Sequence, residues 1–440
     1  MMTTAILGLF LMMGTASAWN VTFNPQTVTI HMHETTCVPF TAPITDVDIA
    51  SGNLTVSTTN KHVAYVETAP IFNTDDVVDS IWTSCLNVTG NFLGNAAIVM
   101  SIVSPEVSNS LAVIIIREER VIDTIFTVFV ATLVSILYIN FGCAMDWDVC
   151  KNTLKRPVGP SIGFFTQFLY MPLLSYGLGK LLFPDYPEMQ IGMFFAGVSP
   201  SGGASNIWTV LLGGNLNLSV TMTTISTLAA FGMMPLWIFT LGRTIFNSAE
   251  LGVPYSRIAM FAVSLIIPLS IGYFIQKKMP RLCRLLVRIL KPFSSLLIIS
   301  IIVFAIVTNL YLFELFSWQI VISGMGLPWL GYSFGWLVAY FLRQPRADVT
   351  AISIETGVQN TGISIFLLRF SLPQPAADLT TIAPVAVAIM TPIPLTILFV
   401  IKLICDRRKR SIAASSEKLN GSGDPVPTIT GSVKTDGEVA

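Results

Sequence analysis

The sequence predicts a polytopic α-helical membrane protein with a small β-rich domain ahead of its helices, and three observations predict it. Charged residues make up only 11% of the 440 and hydrophobic ones 52%, with a mean hydropathy of +0.69. A soluble domain carries about 25% charge, so this much apolar surface has to face lipid. From Val121 onward, apolar runs of roughly 20 residues alternate with short polar loops, each run long enough to cross about 30 Å of hydrocarbon. Between residues 19 and 117 the chain instead alternates apolar and polar residues over short stretches rich in Thr, Val, Asn and Ser.

Composition also excludes two classes. The formal net charge is zero, and a phosphate backbone is held by clustered Lys and Arg, so nucleic acid is no partner. The six cysteines include no C-x-x-C pair and the only histidines are His31, His33 and His62, which removes the usual zinc and redox frameworks.

In chain order, residues 1–18 form an apolar stretch too short to span a bilayer that ends in Ala16-Ser17-Ala18, the small-residue pattern of a signal-peptide cleavage site. Residues 19–117 follow as an expected extracellular β-sandwich of about seven short strands, with runs such as Thr27-Val-Thr-Ile and Leu111-Ala-Val-Ile-Ile-Ile. Sequons at Asn20, Asn53 and Asn87, with the lone pair Cys37 and Cys85, fit an oxidising, glycosylating compartment. A Cys37–Cys85 disulfide is expected there, with two buried thiols as the alternative.

The helical part, 118–410, holds nine expected spans near 121–141, 158–178, 190–211, 216–241, 255–275, 292–312, 319–341, 349–369 and 381–404. Basic residues test the orientation. With the β-domain outside, sixteen Lys and Arg from Lys151 to Arg410 fall on cytoplasmic loops and the tail, against Lys180, Arg243, Arg257 and Arg369 outside. The expectation is a multi-pass protein of the plasma membrane, its N-terminus extracellular and its C-terminus cytoplasmic. Residues 411–440, rich in Ser, Gly, Pro, Thr and charge, are expected to be a disordered tail.

Two spans are not plain apolar helix. The third carries Ser199-Pro-Ser-Gly-Gly-Ala-Ser-Asn206 and the eighth Glu355-Thr-Gly-Val-Gln-Asn-Thr-Gly362. Backbone freed by Pro or Gly in hydrocarbon needs partners in protein, water or ion, so broken helix at this depth lines a cavity. The two spans run in opposite directions, as an inverted repeat built around a midplane site requires.

Glu355 inside a span costs on the order of 3 kcal/mol on insertion scales and persists where it meets a cation, a partner charge or water. No intramembrane Lys or Arg stands out as its mate. Ser205, Asn206, Ser219, Thr221, Thr223, Thr224, Gln359, Asn360 and Gln167 supply hydroxyl and amide oxygens that replace the water shell of a hard monovalent cation. The same groups also suit interhelical hydrogen bonding without any ion.

With these residues in view, the chain over about Phe141 to Cys405 resembles the sodium/bile acid cotransporter family. The resemblance rests on Phe141-Gly-Cys-Ala-Met, Arg156-Pro-Val-Gly-Pro with Gln167 and Met171-Pro172, Ser199-Pro-Ser-Gly-Gly-Ala-Ser-Asn206, Asn217-Leu-Ser-Val-Thr-Met-Thr-Thr-Ile-Ser-Thr227, Met234-Pro235 and Glu355-Thr-Gly-Val-Gln-Asn360. It implies inverted five-helix repeats lacking the first helix, a panel and a core domain, and two discontinuous helices that cross. It implies two co-transported sodium ions, one held by Ser205, Asn206, Ser219, Thr223 and Glu355. The other would use Gln167, Glu355 and Gln359 with the carbonyls of Thr356 and Val358. Asn206 and Asn360 are the expected substrate contacts. The sequence departs from the family's Pro-Gly-Gly at Ser201, and its long N-terminal domain resembles the branch of the family with extended extracellular N-termini.

The expected function is a sodium-coupled symporter of amphipathic organic anions such as bile acids or sulfated steroids. The alternative is a receptor or adhesion protein that uses the transporter fold as an anchor, with an ectodomain ligand that the sequence does not identify. An enzyme is not expected: there is no Gly-x-Ser-x-Gly, no paired intramembrane aspartates and no histidine at membrane depth.

Overall fold

The computed structural model describes residues 21–43, 54–68, 70, 77–78, 81–103, 106–118, 121–248, 255–286, 288 and 317–421. The expected signal stretch, the sequons at Asn20 and Asn53 and the span at 292–312 lie outside the described residues.

The N-terminal part is two packed sheets. The strands are β1 (Thr22–Phe23), β2 (Thr27–His31), β3 (Thr35–Pro43), β4 (Leu54–Thr58), β5 (Ala64–Val66), β6 (Val77–Val78), β7 (Ile81–Gly90), β8 (Gly94–Val103) and β9 (Glu106–Ile116). One sheet has the order β1-β3-β7-β5 with β6 also on β7; the other runs β2-β9-β8-β4. Every pairing is antiparallel except β2 on β9.

Period-2 alternation sends Val28 and Ile30, Val38 and Phe40, and Ile98 and Met100 inward. Trp82 fills the middle, edge-on to Phe40 with ring centroids 4.9 Å apart. Nine strands appear among the described residues where about seven were expected, because β1 and β6 are two residues each and too short to carry a period.

Cys37 and Cys85 are joined as a disulfide, with Cα atoms 5.6 Å apart. Register pairs Cys37 with Asn87 and Pro39 with Cys85, so the bridge ties two adjacent strands diagonally. Cys37 and Asn87 are both exposed, on the outer face of that sheet.

The helical part opens with α1 (Val121–Ala144) and α2 (Trp147–Leu154), then α3 (Val158–Phe165), a π-helical turn (Thr166–Tyr170) and α4 (Met171–Leu182). The expected third span divides into α5 (Pro187–Val198) and α6 (Ala204–Leu212). The fourth is α7 (Leu216–Trp237), continued through a second π turn (Ile238–Gly242) into α8 (Arg243–Ser248). Next come α9 (Tyr255–Ser264), α10 (Ile266–Lys278) and α11 (Trp318–Phe341). The expected eighth span divides into α12 (Arg346–Gly357) and α13 (Thr361–Ser371). The last is α14 (Ala376–Leu379), α15 (Ile382–Met390) and α16 (Pro392–Gly421).

Two described helical stretches, Leu216–Asn247 and Ala376–Arg408, are each long and apolar enough to cross a membrane. Ala131–Ala144 with Trp147–Leu154 adds a third if the pair, bent by 66°, counts as one. The other expected spans among the described residues are helical, but interrupted or more polar. The tail expected to be unstructured from residue 411 differs at its start, since α16 is helical through Gly421. Ala413, Ala414, Glu417, Lys418 and Leu419 are good helix formers, and a helix already under way adds residues at little cost.

A large apolar core joins α1, α5, α7, α9, α10 and α13 through residues such as Tyr138, Phe194, Met234, Ile258, Leu269 and Phe366. It surrounds the breaks between α5 and α6 and between α12 and α13.

Candidate functional site

The two breaks meet. Ser201 and Gln359 form an antiparallel bridge; Gly202 N–H donates to Val358 O at 2.9 Å and Asn360 N–H to Pro200 O at 2.9 Å. Each interrupted helix therefore satisfies its freed backbone groups with the other, which answers the requirement that no such group be left bare in hydrocarbon. Gly202 has to be glycine here, because a Cβ would lie 2.9 Å from the Gln359 carbonyl oxygen. Position 201 has room for a side chain, and Ser201 Oγ–H donates to Glu355 O at 3.0 Å. The departure from Pro-Gly-Gly thus adds a bond across the crossover.

Glu355, on the last turn of α12, is buried at 2% exposure. The Ser219 hydroxyl of α7 lies 2.9 Å from Glu355 Oε2 and 2.9 Å from Asn206 Oδ1, and the Thr223 hydroxyl, one helical turn on, donates to Glu355 Oε1. Thr209 Oγ1–H donates to Ser219 Oγ at 3.2 Å. Ser205 is fully buried, and its hydroxyl faces the Glu355 carboxyl without a well-formed hydrogen bond.

Counting protons shows what this cluster lacks. Two carboxylate oxygens, the Asn206 carbonyl oxygen and Ser219 O compete for the hydroxyl protons of Ser205, Ser219 and Thr223. Acceptors outnumber donors, and among the described residues no Lys or Arg is bonded to Glu355. A hard monovalent cation fits such a set, because oxygen lone pairs can replace its hydration. Among the described residues there is no group of three or more His, Cys, Asp and Glu, so the donor set is not that of a transition metal.

The second expected group assembles on the other side of the ladder. Gln167, in the π turn after α3, donates from Nε2 to Ser199 O at 2.6 Å and to Gln359 Oε1 at 2.8 Å. Gln359 Nε2–H donates to Thr356 O at 2.8 Å. Val358 O accepts from Gly202 N–H at 2.9 Å and more weakly from the Ser201 hydroxyl at 3.4 Å. Gln167, Ser201, Ser226 and Glu355 line a small cavity. Gln167 is buried within the π turn, and π turns of this kind recur at functional sites.

Asn206 is half-buried beside the first group, and Asn360 caps α13 by accepting from Ile363 N–H at 3.3 Å. Thr221 and Thr224 turn their hydroxyls back to Asn217 O and Val220 O and stay off the cluster. Sequence reasoning missed three residues: Thr166, bonded to the Thr356 hydroxyl at 2.7 Å; Thr209; and Ser364, whose hydroxyl bonds that of Ser199 across the two broken helices. A lone Ser or Thr on an apolar helix usually bonds its own preceding turn, so no local signal marks them.

Two crossed, interrupted helices around an acceptor-rich buried carboxylate define the class: a helical membrane transporter. Residues 130–314 match the model of the Sodium Bile acid symporter family. The ileal sodium/bile acid cotransporter of Oryctolagus cuniculus is 32% identical over 289 residues, covering 65% of this chain and 80% of that protein. The sodium-dependent organic anion transporter of Bos taurus is 32% identical over 257 residues, 57% of this chain and 66% of that protein. The P3 protein of Homo sapiens is 32% identical over 260 residues, 58% of this chain and 54% of that protein. The chain thus spans about half the length of the P3 proteins it matches. The chain belongs to the sodium/bile acid symporter family, whose members are membrane transporters and not enzymes.

Proposed function

We propose that this chain is a symporter that carries an amphipathic organic anion of the bile-acid or sulfated-steroid kind into the cell, driven by two sodium ions. The observation that carries the reading is Glu355: buried, bonded by Ser219 and Thr223 beside the Ser205 hydroxyl, and without a basic mate among the described residues. One ion is held by Ser205, Asn206, Ser219, Thr223 and Glu355. The second is held by Gln167, Glu355 and Gln359 with the carbonyls of Thr356 and Val358. Sodium completes a site that is whole in only one geometry, and that differential affinity is what couples its gradient to the carrier. The anion binds beside the crossover, against Asn206 and Asn360.

The reading carries the rest of its architecture with it: nine spans as inverted repeats, a glycosylated, signal-led β-domain outside the plasma membrane, and a cytoplasmic C-terminus. In support, the β-domain packs against the helix ends at Phe183, Met189 and Leu379, in or beside the loops that charge assigns to the outer side. The test is uptake of labelled taurocholate and of a sulfated steroid in sodium against choline medium, with Glu355→Gln and Gln359→Ala as controls. Sodium-dependent uptake lost in both variants is expected. Sodium-dependent stabilisation of the purified protein without uptake of any organic anion would favour the receptor reading.

A further inference from the structure

The β-domain is held to the helices at two places, one covalent and one not. The chain leaves β9 at Ile116 and enters α1 at Val121, so the covalent attachment is to α1. That helix is locked to α10 backbone against backbone. A Cβ on Gly142 would lie 2.3 Å from Leu269 O, and one on Gly272 2.0 Å from Ile139 O. These two helices move as one piece.

The second attachment is non-covalent. The three-residue turn between β7 and β8 presents Phe92 and Leu93, 4% and 2% exposed, which form one buried apolar cluster with Phe183, Met189, Ile320 and Ile382. Those residues sit at the ends of α4, α5, α11 and α15. Of these, α5 is one arm of a broken helix and α4 continues the helix that carries Gln167, while α11 packs along α12. Arg117, immediately after β9, lies 3.7 Å from Asp378, and Asp378 is also paired with Arg369 on α13, the helix that begins at Asn360.

We propose that the β-domain is a strap across the carrier: tied by the chain to the α1–α10 pair, and latched by Phe92, Leu93 and the Arg117–Asp378–Arg369 cluster onto the helices that bear the crossover. The inference rests on the transport reading only for its consequence. Alternating access moves one helix group against the other around the site, and a four-residue connection reaches no more than about 18 Å even when fully extended. Motion that draws α1 away from the ends of α4, α5, α11 and α15 therefore has to stretch that connection or open the latch, and the latch stabilises the present arrangement. Whatever binds and shifts the β-domain from outside acts on the cation site through the same contact.

The test is hydrogen exchange of the full-length protein in lipid nanodiscs, in choline buffer without sodium, so that failure of the transport reading leaves it intact. In Phe92→Asp/Leu93→Asp, amides at 199–206 and 355–360 are expected to exchange about tenfold faster than in the wild type, as local opening loses an apolar hold. Amides of β8 between Ile98 and Met100 should stay protected, which verifies that the domain is folded. Leu93→Ala, which removes contact without adding charge, carries the same test at about threefold should the double variant unfold. Wild-type exchange at both breaks in a folded latch variant overturns the proposal.

Discussion

The β-domain and the helix crossover are both tightly packed, yet their buried surfaces are opposites. Among the described residues, the buried side chains of the β-domain are apolar: Phe23, Ile30, Val38, Phe40, Trp82, Leu86 and Ile115. At the crossover they are Gln167, Ser199, Ser201, Ser205, Ser219, Thr223, Glu355 and Gln359. A domain in water gains by hiding apolar surface. A helix bundle in lipid gains nothing from that and can hide polar groups in its middle instead, provided each finds a partner. The lesson is that in this chain a buried polar group marks function and a buried apolar one marks stability.

The sharpest way to break that contrast is Glu355→Gln. At sodium about 100 times its Kd, bound ion stabilises the folded state by about 2.7 kcal/mol, and removal of the only carboxylate should abolish that shift and lower uptake by about 100-fold or more. Differential scanning in sodium against choline reads the first effect. A full sodium shift in the variant would remove Glu355 from the ion site.

In the other region, Trp82→Ala deletes a ring 1% exposed and packed on Phe40. The cost should be about 3–5 kcal/mol of β-domain stability, read by chemical denaturation or by loss of the protein at the cell surface. Unchanged unfolding would mean that this ring does not hold the two sheets together.

Between these lies Gly202→Ala, whose new Cβ meets the Gln359 carbonyl, backbone that cannot move aside. Overpacking of this kind costs about 1–3 kcal/mol; the sodium midpoint of uptake should rise about tenfold, with the β-domain untouched. The smallest effect belongs to Ser201→Gly. It loses one hydrogen bond to Glu355 O, worth about 1 kcal/mol, and leaves the ladder intact. A change as large as that of Gly202→Ala would show that the hydroxyl ligates the ion.

Much of this architecture was legible in the chain, and for local reasons. Alternation at Thr27–Ile30 and Leu111–Ile116 is a property of neighbouring residues, as are the Pro and Gly that interrupt the third and eighth spans. Glu355 drew notice because a carboxylate in an apolar run is costly wherever the run goes. The bond of Thr166 to Thr356, by contrast, joins residues 190 apart, and nothing near either one distinguishes it from a hydroxyl bonding its own turn. Phe92 and Leu93 cluster with Phe183, Met189, Ile320 and Ile382 from distant helices, and nothing in the neighbouring sequence announces it.

By itself, then, the sequence determined the solvent each segment belongs in, the period of its secondary structure and the depth at which two helices had to give way, because hydropathy, alternation and helix-breaking act within a few residues. Only the tertiary structure decided that Pro200–Gly202 and Val358–Asn360 complete one another's backbone, that Ser205, Ser219 and Thr223 gather on Glu355, and that Phe92 and Leu93 pack on the ends of the helices. Those pairings join residues far apart in the chain, and packing alone chooses among the partners that such distances allow.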